Sequence, residues 1–72
     1  MNRKERLINF KEEVLPKLQE IYEIKDFNTF VKIKIKDFSY DYYPMAQKIC
    51  KQLKRPIWRE LSIEEFKIKF LK

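Results

Sequence analysis

The chain contains no glycine and no histidine, and it has one cysteine, Cys50. Each absence removes a class of function. Without glycine there is no phosphate-cradling P-loop, no dinucleotide fingerprint, no GXXG clamp and no glycine-bearing RNA-recognition motif. Without histidine, and with a single thiol, there is no zinc finger, no Cys–His or Ser–His nucleophilic site and no disulfide framework. The lack of glycine also constrains the backbone. Positive φ falls to other residue types, and Asn28 and Asp26 are the best placed to adopt it. No apolar run approaches the length of a membrane span, and the first residues are charged rather than an apolar leader. With one free cysteine, the chain reads as a cytoplasmic protein with no membrane partner.

What is present is a small, charged and aromatic-rich chain. Seventy-two residues make one domain, 44% of it apolar and 39% charged. A chain this short buries only about 60% of its unfolded surface, so its core has to be efficient or shared with a second copy. The charge is unevenly placed. Residues 1–26 carry six basic and six acidic side chains, whereas residues 27–72 carry eleven and five, so the net charge of +6 lies entirely in the later part. A field of one sign over half a domain attracts polyanions or acidic protein surfaces.

The apolar spacing predicts four elements in the order helix, strand, helix, helix, a small α+β domain. Leu7, Phe10, Val14, Leu18 and Ile21 mark an amphipathic helix over 3–24, with Asn2 as its N-cap. Pro16 interrupts it without breaking the register, which predicts one kinked helix or two segments meeting near Val14–Leu15. Phe30–Lys36 alternates strictly, with Val31, Ile33 and Ile35 on one face and Lys32, Lys34 and Lys36 on the other, the period of a half-buried strand. One strand cannot satisfy its own backbone groups, so pairing across a homodimer is expected. The aromatic stretch 37–44 reads as a loop. Tyr42, Met45, Ala46, Ile49 and Leu53 then suggest a second helix, ended by Pro56. Ser62-Ile63-Glu64-Glu65 fits a capping box, with Leu61 and Phe66 at the positions of a hydrophobic staple. The alternation Phe66-Lys67-Ile68-Lys69-Phe70 keeps a rival open, an α-β-α-β order with residues 66–71 as a second strand.

Two constellations carry functional expectations. Lys32, Lys34 and Lys36 on the strand, with Lys48, Lys51, Lys54 and Arg55 on the following element, form a basic set able to neutralise several phosphates. A lysine-alternating strand followed by two helices is similar in element order to ribbon-helix-helix DNA-binding proteins, and the resemblance implies antiparallel pairing of two strands in the major groove. The acidic start of the last helix, Glu64 and Glu65, departs from that pattern, because it repels a phosphate at the helix N-terminus. The second set is aromatic: Tyr40, Tyr42, Tyr43 and Trp58 sit beside basic residues, a combination that stacks bases or anchors a protein partner. Glu65-Phe66-Lys67 matches the E-x-K spacing of some metal-dependent nucleases. Such a site needs a central sheet to hold its ligands, and the chain looks too short to build one.

The expectation is therefore a binding protein rather than an enzyme, with no cofactor and no metal. Nucleic-acid binding or transcriptional regulation comes first, and a protein-interaction module or inhibitor docking on an acidic partner is the alternative. The lysine- and isoleucine-rich composition suits an AT-rich genome, such as that of a low-GC bacterium, its phage or a mobile element.

Overall fold

The computed structural model describes residues 2–71. A helical segment comes first, then five strands, then a final helix. The first segment has three parts: α1 (Arg3–Asn9), a π turn (Phe10–Val14) and α2 (Leu15–Ile21). The strands are β1 (Glu23–Asp26), β2 (Val31–Ile35), β3 (Phe38–Tyr43), β4 (Lys48–Gln52) and β5 (Ile57–Glu60), and the last helix is α3 (Ile63–Phe70). All five strands form one antiparallel meander in sequence order.

The α+β class holds, but the expected order of elements does not. Residues 45–53, read as a helix, are a turn followed by β4. The aromatic stretch is β3, and Glu23–Asp26 is a strand, where the expectation was the end of the first helix at residue 24 followed by a short connection. β2 is the second strand of five, hydrogen-bonded to β1 on one side and β3 on the other. Its ladder is thus completed within the chain, without a second copy. The rival strand over 66–71 is also replaced, because residues 63–70 are helical. The chain does build a sheet, contrary to the expectation that it was too short, and it does so with four tight connections.

Local chemistry explains the ends of the helices. Asn2 Oδ1 accepts the Glu5 N–H at 2.8 Å, capping α1 as its sequence position implies. Ser62 Oγ accepts the Glu65 N–H at 3.2 Å, and its hydroxyl donates to Glu65 Oε1 at 3.1 Å. Leu61 and Phe66 are both buried beside that cap. The π turn answers the proline. Pro16 has no N–H to give, and the Leu15 N–H reaches five residues back to the Phe10 carbonyl. Pro16 then falls in the first turn of α2, where a missing donor costs little. The two segments meet at Val14–Leu15, as the spacing predicted.

Turns without glycine need other solutions. Positive φ falls on Asn28 (74°), Lys36 (53°) and Gln47 (51°). Asn28 was expected; Asp26 instead serves from the side, its Oδ1 accepting the Asn28 N–H at 2.8 Å. Gln47 is held by its surroundings, its carbonyl accepting from Leu61 N–H and its Oε1 from Ile63 N–H. Lys36, in the two-residue β2–β3 turn, has no hydrogen bond or ion pair and carries its strain uncompensated.

Both helical segments pack on one face of the sheet. Phe10, Val14, Leu15 and Leu18 meet Val31, Ile33, Tyr42 and Ile49, and α3 adds Phe66 and Phe70 to the same cluster. Phe66 is central: its ring lies 4.2 Å from Tyr42, 5.4 Å from Phe10 and 4.6 Å from Phe70. Two tyrosines tie the last helix to the body through hydroxyls. Tyr42 donates to the Leu61 carbonyl at 2.8 Å, and Tyr22 to the Phe70 carbonyl at 2.9 Å.

Two stability predictions follow from this packing. Phe66→Ala removes the ring shared by three elements and costs about 3–5 kcal/mol, comparable with the whole stability of a small domain. Urea titration should then show no folded baseline, whereas Ile68→Ala, at a position 59% exposed on the same helix, should stay within about 0.5 kcal/mol of the parent. Lys36→Gly relieves the left-handed backbone and should raise stability by about 0.5–1 kcal/mol, read as a higher urea midpoint with unchanged slope.

Candidate nucleic-acid interface

Because both helical segments take one side of the sheet, the other side stays open. The strand register sets what it displays. One rung runs across all five strands as Lys25, Lys32, Asp41, Cys50 and Trp58. A second carries Glu23, Lys34, Ser39 and Gln52, and a third Tyr43, Lys48 and Glu60. Lys32 and Lys34 therefore share a face, as the alternation predicted.

A row of rings crosses this face near the end that carries the β1–β2 and β3–β4 turns. Phe27 stacks on Phe30 with centroids 4.9 Å apart and planes 11° from parallel. Phe30 stacks on Tyr43 at 4.8 Å and 22°. Tyr43 meets Trp58 at 5.5 Å and 40°. The end rings are open, Phe27 at 46% and Trp58 at 55% exposure, while Phe30 and Tyr43 are half-buried between them. The β1–β2 connection places the first two rings. An i→i+2 bond from Thr29 N–H to the Phe27 carbonyl closes a three-residue turn around Asn28, and the Phe27 N–H bonds the Phe30 carbonyl. Lys11 braces this loop from the helix, donating to Asn28 Oδ1 at 3.0 Å and pairing with Asp26 at 3.5 Å.

Beneath the row lies a buried carboxylate. Asp41 is 7% exposed although it sits on the open side. Its Oδ2 accepts from Gln52 Nε2 at 2.7 Å. Its Oδ1 has no well-directed hydrogen bond and is compensated by the Lys32 ammonium at 3.2 Å. Cys50, directly across from Asp41, accepts from the same Gln52 amide at 3.5 Å. Burial pushes the Cys50 thiol above its ordinary range, and the Asp41 charge adds to that. Burial and the neighbouring carboxylate thus favour the neutral thiol over the reactive thiolate. Burial, then Asp41, likewise raises the Tyr43 phenol, which stays neutral and able to stack near neutral pH.

The sequence-selected residues divide between two faces and the turns. Lys32, Lys34, Lys48, Tyr43 and Trp58 share the open face. Lys36 lies in the β2–β3 turn, and Lys54 and Arg55 in the β4–β5 turn at the same end of the sheet. Lys51 points to the helix side, its ammonium 4.2 Å from the Phe38 centroid. Two expected contact aromatics are misplaced. Tyr42 is fully buried in the core, and Tyr40 packs edge-on against Phe70 at 5.9 Å on the helix side. The alternation of β3 explains this, since Tyr40 and Tyr42 share one face and Tyr43 takes the other. Phe27 and Lys25 lie in a turn and a strand with no periodic signal, and the alternation that puts Phe30 on the lysine face does not by itself mark it as a contact ring. Glu65-Phe66-Lys67 lies on α3, and among the described residues no group of three or more His, Cys, Asp or Glu side chains converges as metal ligands do.

No protein-family model, curated protein or solved structure significantly matches the chain. Among the described residues no helix is long and apolar enough to cross a membrane.

The Lys32–Asp41 pair yields a direct test. Lys32→Met keeps the aliphatic stem but leaves a buried carboxylate without its cation, and should cost about 1–3 kcal/mol in urea denaturation. Lys34→Met, one step along on the same face, should change stability by less than about 0.5 kcal/mol. Adding Asp41→Asn to Lys32→Met should recover most of the loss; no recovery would show that the pair is not what the lysine contributes.

Proposed function

We propose that the protein binds single-stranded nucleic acid across the open face of its sheet. The observation that carries this reading is the stacked row Phe27–Phe30–Tyr43–Trp58, ending in two exposed rings. An exposed ring on an open antiparallel sheet is a platform for an unpaired base, because every base has a π-face and none needs to be read by its edge. The middle rings hold the end rings in position, so little conformational entropy is lost on binding. Lys25 and Lys48 flank the row, Lys34 lies two rungs further along the same face, and none of the three has a carboxylate within ion-pair distance. These are the cations available to phosphates. Lys32 is committed to Asp41 and serves the fold first.

This reading differs from the duplex-reading ribbon. β2 is enclosed by β1 and β3 in a five-stranded sheet, so it is not a free ribbon to be laid in a groove. Duplex bases are also already stacked on one another and offer no free faces to Phe27 or Trp58.

Trp58 is the one tryptophan, which makes the experiment direct. Titrating a 15-nucleotide (about the upper site size of a single-strand binding fold) oligo-dT or oligo-U should quench its fluorescence. Binding should weaken steeply between about 50 and about 300 mM salt. Trp58→Ala, followed by anisotropy of a labelled oligonucleotide, should lose about 1–3 kcal/mol of affinity. Lys34→Ala and Lys48→Ala should each flatten the salt slope. Absence of binding at the lowest salt, tighter binding to duplex than to single strands, or an unaffected Trp58→Ala variant would each overturn the reading.

A further inference from the structure

The helix side of the sheet is not fully covered. α3 packs against the middle strands, and every residue of β5 is exposed. Between α3 and the β4–β5 hairpin runs an open groove of about 390 Å³. Its floor is apolar, made by Tyr40, Ile49, Ile57 and Phe70. Lys51, Arg59 and Lys69 stand along it, and none of these three cations has a carboxylate within ion-pair distance. Glu60, at the Leu61 end, is the one acidic residue on its wall.

The groove runs beside an edge strand with free backbone groups. The Leu61 N–H bonds the Gln47 carbonyl at 2.9 Å and continues the β4–β5 ladder. Backbone direction alternates along a strand, so Ile57 and Arg59 point their peptide groups at β4. Trp58 and Glu60 therefore point theirs outward. Side chains alternate as well: those of Ile57 and Arg59 face the groove, and that of Trp58 faces the open side.

We propose that the β5 edge and this groove form a docking site for an extended acidic segment of a partner protein. The segment adds a sixth strand. Its backbone pairs with the outward groups of Trp58 and Glu60, and every second side chain enters the groove. Strand addition draws affinity from main-chain bonds and specificity from the pockets beside them. Three cations over an apolar floor select carboxylates mixed with aliphatic or aromatic side chains, and reject a basic segment by repulsion. The opposite edge strand, β1, displays Glu23, Lys25 and Asp26, of mixed sign, and lines neither this groove nor the one beside Trp58. The docking site does not depend on the open-face reading, since it rests on the other side of the sheet.

An oriented library of randomised octapeptides, selected on the full chain, tests this. Selected peptides should be enriched in Asp and Glu at alternate positions. The best of them, synthesised, should slow hydrogen exchange at the Trp58 and Glu60 amides by about tenfold or more, while Ile57 and Arg59, already bonded to β4, change little. Arg59→Glu with Lys69→Glu should weaken that peptide about tenfold or more, with an unchanged circular dichroism spectrum confirming the fold. Proline in the peptide at the positions that donate to β5 should abolish binding. The proposal is overturned by a library with no acidic enrichment, by a selected peptide that leaves both amides unprotected, or by equal binding to the double variant. Protection of the same amides without peptide, rising with protein concentration, would assign the edge to a second copy and overturn it too.

Discussion

The contact among Phe66, Tyr42 and Phe10 fixes the rest of the molecule. Each ring comes from a different layer component: the last helix, the middle strand and the π turn of the first helical segment. Their mutual packing forces both helical segments onto one side of the sheet. The described residues contain no further element to cover the other side. The open face is therefore a consequence of the core, and so is what it displays. With Tyr40 and Tyr42 turned inward by β3, the pleat turns Tyr43 outward beside Phe30. The π turn belongs to the same constraint. It lets the helix absorb Pro16 while Phe10, Val14, Leu15 and Leu18 stay on the core side.

The sequence revealed the parts of this fold that rest on local rules. Asn2, Ser62 and the break at Val14–Leu15 were readable because capping and proline chemistry act over a few residues. The alternation of β2 was readable because one face is buried and the other wet. β4 was not, for a physical reason. Ile49 and Cys50 are adjacent and both buried, on opposite faces, so the strand has no two-residue period. Ile49 falls at helical spacing from Tyr42, Met45 and Leu53, and the helix template fitted better than the strand that formed. β3 was misread differently. Its Phe, Tyr and Ser alternation was present, and aromatic residues favour strands, but the density of rings looked like a loop bounded by Pro44. Of the candidate site, Tyr43 and Trp58 were legible from residue type, Lys32 and Lys34 from the alternation of β2, and Lys48 only through a helical spacing that the chain does not adopt. The pairing of Lys32 with Asp41 depends on two residues nine positions apart meeting in one register across the β2–β3 hairpin, which the alternation of β2 does not contain.

Glycine's absence has a consequence for the surface. Hairpins normally use glycine where φ turns positive, and here Asn28, Lys36 and Gln47 take those positions. Two of the three are held by side-chain contacts to other elements, Asn28 through Lys11 and Gln47 through the Ile63 amide. The turns are thus coupled to the helices instead of being free tips. For the β1–β2 connection this matters directly, because it carries Phe27 and Phe30. A ring on a mobile tip would have to be ordered on binding, whereas a ring on a turn braced by the first helical segment is already in place.

The buried Asp41 gives the open face its internal logic. A carboxylate set among lysines and rings weakens any surface meant only to attract phosphate. Its position, however, is central and covered, not peripheral. It draws Lys32 and Gln52 down onto the sheet and places Cys50 under the same network. A compact polar network of Asp41, Lys32, Gln52 and Cys50 results, with Lys32 and Asp41 one rung from Phe30 and Tyr43. The remaining lysines on that face lie at its margins, where a backbone passing over the rings would run. The helix-side groove is arranged the other way, with an apolar floor and cations left without carboxylate partners. The two faces thus differ in kind. One offers stacking with charge at its edges, and the other offers charge over a narrow apolar trough beside free backbone. That difference argues for two ligands of different chemistry on one small sheet, meeting at β5, whose Trp58 belongs to one face and whose Arg59 belongs to the other.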